Sequence, residues 1–442
     1  MSKRASDADA PAAKRHTNST EANNESIDPT HDDRAQPDST LMQYDESGLP
    51  YVLYGATRRV YHFAQQTEPW YAIRRGLVTA TAATTMAGLN RYEHPWDFAR
   101  VWLGAVEKPV DDAGRDIMEY GNVYEDRNRR LFEHVTGLRV AEAGFVVDTE
   151  QPRRGISPDG LVEPARVEIR RGGAGAPLET LDLGMSLFEA KCSPYSLPRD
   201  FKVSYVGQVH AQMAVTGLRW CWASLWHQDA LRVMLVEFSP DLWAWMDLRI
   251  RHFLALCDRH RDDPDAAAAA IRADPLWAAD GAQAIEADWY PSRFGDQAFA
   301  ARHAGNVWDK LDLPCEDNCC AERELAKEIG FVHGETPDCA LRRLAPRPVV
   351  HEVYAKTDAL LDTTTRTDRG YVARSAWPAE PPRLADFAPM AYYATDADAQ
   401  KSPFMAPVPA KGRYAAVLRC ARTGPLPDAI LAHQDVYAAT KH

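Results

Sequence analysis

Ile156-Ser157-Pro158-Asp159-Gly160-Leu161, then Leu187-Phe188-Glu189-Ala190-Lys191-Cys192, then Tyr205-Val206-Gly207-Gln208-Val209-His210-Ala211-Gln212-Met213 follow one another in a single stretch of the chain. They read as an acid in a turn, an acid-x-lysine on a strand, and a helix carrying glutamines. Residues two apart on a strand share a face, so Glu189 and Lys191 point the same way, with the backbone carbonyl of Ala190 between them. Asp159 follows a short apolar run and precedes Gly160, the pattern of a strand end bent by glycine. Two carboxylates at one point suit a hard divalent cation such as Mg²⁺, which takes oxygen ligands and keeps several waters. Such a cation acidifies water and polarises a phosphate, and a neighbouring lysine can orient that water. Asp159, Glu189 and Lys191 are thus the parts of a phosphodiester hydrolase. An isolated acid-x-lysine is also what an exposed ion pair on a strand edge looks like, so the neighbouring motifs decide between the two.

Upstream, Trp70 is followed by Arg74-Arg75-Gly76 and by Val78-Thr79-Ala80-Thr81. The segment 82–89 suits a helix, and a helix N-terminus with a hydroxyl and a nearby arginine is a phosphate site. Between these stretches, apolar residues at Ile117, Met118, Tyr120, Val123, Tyr124, Leu131, Phe132 and Val135 predict a long helix over 115–136, closed by Gly137. Gly121 and Glu125 share a face of that helix. On the residues alone, Glu125 reads as an exposed partner for Arg129, four residues on.

The order Ser157-Pro158-Asp159-Gly160-Leu161, Glu189-Ala190-Lys191-Cys192, and Tyr205, Gln208, Val209, Met213 and Thr216 resembles the lambda-exonuclease-like (YqaJ-type viral recombinase) nucleases of the PD-(D/E)XK superfamily. The resemblance covers about residues 70–260. It implies an α/β fold with a restriction-endonuclease-like core, in which a mixed, mostly antiparallel sheet packs between helices. It implies Mg²⁺-dependent hydrolysis of DNA, with Mn²⁺ as a substitute, acting 5′ to 3′ from duplex ends in viral or phage-type recombination. It puts Asp159, Glu189 and the Ala190 carbonyl on the metal, Lys191 on the attacking water, and Gln208 beside the nucleophile. The family's Gly-x-x-x-Glu assigns Glu125 to the same site. Its opening motif holds the terminal phosphate of the DNA, a role that falls here to Arg74, Thr81 and Ser157; Thr81 replaces the usual serine and keeps the hydroxyl. The partners implied are duplex DNA ends, a single-strand annealing protein and further copies of the chain.

The rest of the core reads as alternating elements. Strands are predicted over 140–148 and 155–162, a hairpin arm over 167–171 and 181–183, a strand over 187–192, and a helix over 203–216 stopped by Gly217. A strand pair follows over 220–226 and 232–238, its tryptophans read as packing residues rather than base-stacking ones. A helix over 242–257 closes the domain. His210 is given no role, because the metal route does not need it.

Length suggests two or three domains. We divide the 442 residues into a polar, disordered tail (1–45), the nuclease domain (46–262), a small helical or cysteine-containing extension (263–345) and a further extension without assigned role (346–442). Cys315, Cys319, Cys320, His333 and Cys339 could ligate zinc, although no Cys-x-x-Cys pair is present. The eight cysteines do not read as a disulfide framework. No apolar run is long enough to span a membrane and no signal-peptide core is visible, so a soluble intracellular protein is expected. The net charge of −12 argues against a protein that coats nucleic acid, but a basic groove can coexist with acidic flanks. Two other readings stay open: an endonuclease on the same fold, and a non-catalytic DNA-binding scaffold. Arg74 with Thr81 counts against the first. Retention of Asp159, Glu189 and Lys191 counts against the second.

Overall fold

The computed structural model describes residues 42–277 (except 55, 62, 64, 91, 108–111, 172–176, 195–196, 198–201, 229 and 275), 344–345, 349–354, 383–386 and 415–426. The tail before residue 42 and the Cys315–Cys339 cluster lie outside them. In chain order the elements are β1 (Met42–Tyr44), β2 (Pro50–Tyr54), β3 (Arg58–Tyr61), α1 (Glu68–Arg74), α2 (Ala80–Met86), α3 (Pro95–Trp102), α4 (Asp112–Thr136), β4 (Val140–Ala141), β5 (Phe145–Asp148), β6 (Gly155–Ile156), β7 (Gly160–Val162), β8 (Ala165–Arg171), β9 (Leu178–Asp182), β10 (Ser186–Cys192), α5 (Val203–Thr216), β11 (Trp220–His227), β12 (Ala230–Glu237), α6 (Pro240–Arg259), α7 (Pro264–Ala273), β13 (Val349–Tyr354) and β14 (Ala415–Arg422). The helices end where glycine was read as a stop. Gly137 and Gly217 adopt φ of 73° and 72°, which only glycine takes without strain.

Two sheets result. The smaller runs β1-β2-β3-β5-β6, and the larger runs β4-β7-β10-β11-β12-β13-β14-β8-β9. Among the described strands of the larger sheet only β10–β11 and β13–β14 pair in parallel, so the expected mixed, mostly antiparallel sheet between helices is what forms. The parallel β10–β11 pair needs a crossover, and α5 supplies it. The strands read over 140–148 and 155–162 do pair, but as one hairpin divided between the two sheets. Val146↔Ile156 and Val147↔Gly155 lie in the small sheet, while Val140↔Val162 and Ala141↔Leu161 continue the same register in the large one. The break on the second strand is Ser157–Asp159. A second continuous register joins β7–β10 to the predicted arm β8–β9, from Phe188↔Gly160 through Arg166↔Asp182 to Arg170↔Leu178. β13 and β14, from the segment without an assigned role, pair with β12 and β8 and extend the same sheet.

An apolar layer lies on each face of the large sheet. On one face, α4 packs Phe132 against Phe188 and Trp222, with ring centroids 5.0 and 5.7 Å apart. Trp220, Trp222 and Trp226 are all buried, which bears out the packing reading. Truncating a ring such as Phe132 would cost about 3–5 kcal/mol. On the other face α2, α5 and α6 enclose Met86, Val209, Met213, Trp245 and Phe253. α7 and Trp277 close this layer, with Trp277 Nε1 donating to the Met86 carbonyl at 3.0 Å. α5 meets α2 at Gly207, where an added Cβ would stand 2.7 Å from Leu89 Cδ1 and 3.2 Å from Thr84 Cγ2. Gly207→Ala is absorbed largely by rotation of Leu89. Gly207→Val adds carbons that Thr84 cannot yield to, and should lower stability by about 1–3 kcal/mol, measured by urea unfolding.

Candidate active site

The break at Ser157–Asp159 builds the site. The β7–β10 ladder runs from Val162↔Ser186 to Gly160↔Phe188, and two more residues in that register would set Ala190 opposite Pro158. Proline has no N–H to offer the Ala190 carbonyl. The ladder stops there, and the Ala190 N–H donates to the Asp159 carboxylate instead, at 2.8 Å. The N–H and C=O of one strand residue point to the same side. The Ala190 carbonyl therefore emerges beside Asp159.

Glu189 and Lys191 share a face as their spacing requires, and the Lys191 ammonium pairs with Glu189 Oε1. α5 brings two amides to the same carboxylate. Gln208 Nε2 donates to Oε1 at 2.5 Å and Gln212 Nε2 to Oε2 at 2.8 Å. Glu189 is only 1% exposed, so these donors are what hold it in place. Lys191 also lies 5.3 Å over the Tyr205 ring. Glu125 approaches from α4, close enough that its charge acts on Asp159. The alternative partner Arg129 is held by Asp126 at 2.5 Å and Glu133 at 3.9 Å.

At the other end of the cleft, Trp70 organises the cationic side. Its Nε1 donates to Ser157 Oγ at 3.2 Å, and the Arg74 guanidinium stacks 3.7 Å over its ring. Burial lowers the Arg74 pKa. Thr79, not Thr81, caps α2, its hydroxyl accepting from the Ala82 N–H at 3.2 Å, and Thr81 is exposed. The cleft encloses about 380 Å³. Arg74, Thr81, Glu125, Ser157, Asp159, Glu189, Ala190, Lys191 and Gln208 all line it. Gln65, Asn122, Met118 and Cys192 line it too without having been assigned from the sequence. Gln212 lines it as well, as its place one helical turn beyond Gln208 suggests.

The electrostatics are those of crowded acids. Burial, then Glu189 and Glu125, push the Asp159 carboxyl well above the ordinary carboxylate range, against the pull of Lys191. Burial opposes the charge on Lys191, but Glu189 and Asp159 outweigh it and raise its pKa. Burial also pushes the Cys192 thiol up to about 12, so that sulfur offers no nucleophile near neutrality. Among the described residues no group of three or more His, Cys, Asp or Glu side chains is gathered as a metal cage. Two carboxylates and a backbone carbonyl are, however, the smaller set that Mg²⁺ accepts, with water completing its shell. Mutual repulsion at Asp159 is what such a cation would relieve, so the residues fit the ion.

Residues 69–219 match the model of the YqaJ-like viral recombinase domain. The family resemblance read from the motifs is thereby borne out over that segment. No curated protein matches the chain. Among solved structures, the chain is similar to an alkaline exonuclease (LHK-Exo) from Laribacter hongkongensis, at 21% identity and a TM-score of 0.33, over 46% of this chain and 98% of that one. The complex of LHK-Exo with dAMP matches over the same shares, at 21% identity and a TM-score of 0.32. No helix among the described residues is long and apolar enough to cross a membrane.

Two predictions follow from the charges. A carboxyl whose folded pKa is raised binds more protons folded than unfolded, so once ionised it destabilises the fold. Asp159→Asn should therefore raise the melting midpoint of the metal-free protein near pH 8 by about 2–4 °C and abolish any stabilisation by added Mg²⁺, as read by calorimetry with EDTA or Mg²⁺. The fully buried His210 gives its Nδ1–H to the Val206 carbonyl at 2.8 Å, and burial holds its pKa at about 4 against an ordinary 6.5. This depressed histidine leaves stability intact above pH 6.5 and removes it as pH falls toward 4, about 2 kcal/mol by pH 5. Unfolding of His210→Gln across pH 5–7 should show a flatter slope than wild type.

Proposed function

We propose that this protein hydrolyses DNA phosphodiester bonds, working exonucleolytically 5′ to 3′ from duplex ends, in recombination or replication of a viral or phage type. The observation that carries the reading is the convergence of two charged sets in one cleft. One is Asp159, Glu189 and Lys191; the other is Arg74, Thr81 and Ser157. An acidic set that can hold a cation, next to a cationic and hydroxyl set that can hold a phosphate, suits a phosphodiester near a strand end.

Asp159, Glu189 and the Ala190 carbonyl would hold a divalent cation, Mg²⁺ or in its place Mn²⁺, which when bound supplies Lewis-acid polarisation of the phosphate and a more acidic water. Glu125 stands by as a further carboxylate for water or for a second ion. Lys191, kept protonated by its acidic neighbours, orients the attacking water and offsets charge that builds on the phosphate oxygens. Gln208, fixed by Glu189, presents its amide beside the same water. Among the described residues no carboxylate neutralises Arg74, and its guanidinium is held flat by Trp70. It is therefore ready to take a terminal phosphate, with the Ser157 and Thr81 hydroxyls as companions. DNA ends, a single-strand annealing protein and further copies of the chain are the partners we assign.

The test is digestion of end-labelled linear duplex beside a covalently closed circle, with Mg²⁺ or with EDTA. Wild type should degrade only the linear DNA and only with Mg²⁺, and Lys191→Ala should lose at least about 100-fold in rate. Cutting of the circle would move the assignment to an endonuclease. Binding of DNA without cutting in any divalent metal would leave a scaffold.

A further inference from the structure

Asn128 is fully buried in the apolar seam between α4 and the large sheet, where an amphipathic helix ordinarily places an aliphatic side chain. Its Nδ2 donates to the Ser224 carbonyl at 2.8 Å and, at the longer distance of 3.4 Å, to the Lys191 carbonyl. Its Oδ1 accepts from the Ser224 hydroxyl at 2.6 Å, and Cys192 Sγ lies 3.7 Å from Nδ2. One side chain thus ties α4 to both β10 and β11.

The tie falls at the strand residues that form the site. Ser224 is the parallel partner of Ala190, whose carbonyl emerges beside Asp159. Lys191 is the residue whose ammonium holds Glu189. On α4, Asn128 comes three residues after Glu125, on the same side of the helix. Attachment of α4 does not require this polar pair. Phe132 already packs on Phe188 and Trp222, and replacing both members of a buried hydrogen-bonded pair by apolar groups can be nearly neutral for stability. Apolar contact is non-directional, so it leaves a helix free to slide and rotate by fractions of an ångström. Hydrogen bonds to two fixed carbonyls and a hydroxyl remove that freedom.

We infer that Asn128 is a positioning residue that sets the placement of Glu125 against Asp159 and Ala190, and thereby the cation affinity of the cleft. The inference rests on the metal-site reading proposed above. It is tested by Mn²⁺ binding, measured by calorimetry and by the electron paramagnetic resonance of free Mn²⁺, without any nuclease assay. The proteins are wild type, Asp159→Asn, the pair Asn128→Leu with Ser224→Ala, and that pair added to Glu125→Gln. Wild type should bind Mn²⁺ at a site lost in Asp159→Asn. The apolar pair should bind about tenfold more weakly while unfolding as cooperatively as wild type. On the Glu125→Gln background the same pair should change affinity by no more than about twofold, because the route through Glu125 is already gone. Should the pair not fold, Ser224→Ala alone carries the test, with a weakening of about twofold to threefold that vanishes on the Glu125→Gln background. Wild-type affinity in the folded variant, or a loss that persists undiminished with Glu125→Gln, overturns the inference and leaves the metal site standing. Absence of an Asp159-dependent site in wild type overturns both.

Discussion

The cleft depends on one hydrogen bond, from the Ala190 N–H to the Asp159 carboxylate. A buried backbone amide must find an acceptor, and Pro158 ends the ladder that would have supplied a strand partner. Asp159 takes the place of a carbonyl. Because the acceptor is ionisable and the donor is backbone, the acid is fixed to the strand that carries Glu189 and Lys191. The spacing of the two carboxylates is then set by main-chain geometry rather than by rotamers, which is what a site with demanding geometry needs. The same interruption exposes the Ala190 carbonyl, so one proline and one aspartate create two of the three candidate oxygen ligands.

The remaining groups arrive from opposite faces of the sheet. α5 brings Gln208 and Gln212 to Glu189, and its close approach to α2 at Gly207 ties it to the segment bearing Thr79 and Thr81. α4 brings Glu125 from the aromatic face. A cluster of acids with mutual repulsion is a cost to the fold, and the two apolar layers flanking it offset that cost. Placing such a cluster between well-packed faces is the usual trade between a stable protein and a reactive site.

Most of this was legible from residue order. Period-two spacing put Glu189 and Lys191 on one face, the helical stripe over 115–136 gave α4, and glycine stops gave the ends of α4 and α5. Cleft-lining residues could be named because they sit in short motifs. Other features were not legible because they depend on pairing across distance. The strands over 140–148 and 155–162 read as continuous, and nothing local says that each changes sheet midway. Thr79 and Thr81 are equally good caps by type, and only the helix start decides between them. Asn128 carries no local signal, because an asparagine within a helix is usually exposed and its partners, Lys191 and Ser224, come from strands far along the chain. β13 and β14 lie in regions of mixed composition, and their strand character comes from the neighbours they pair with.

The pairing of β14 with β8 bears on how the chain is made. Val167 pairs with Cys420, and Arg422 reaches Glu163 at 2.7 Å. Strands β7, β10, β11 and β12 can assemble with α4 and α5 while the polypeptide is still being synthesised. The edge of β8 cannot be covered until residues beyond 415 have left the ribosome. For that interval the nascent domain carries an open strand edge, the feature most prone to mispairing with other chains. At roughly 5–20 residues per second the exposure lasts on the order of ten seconds or more. Arg166 and Glu168 along β8 place charge on the waiting strand, the kind of side chain that discourages edge-to-edge association until its late partner arrives.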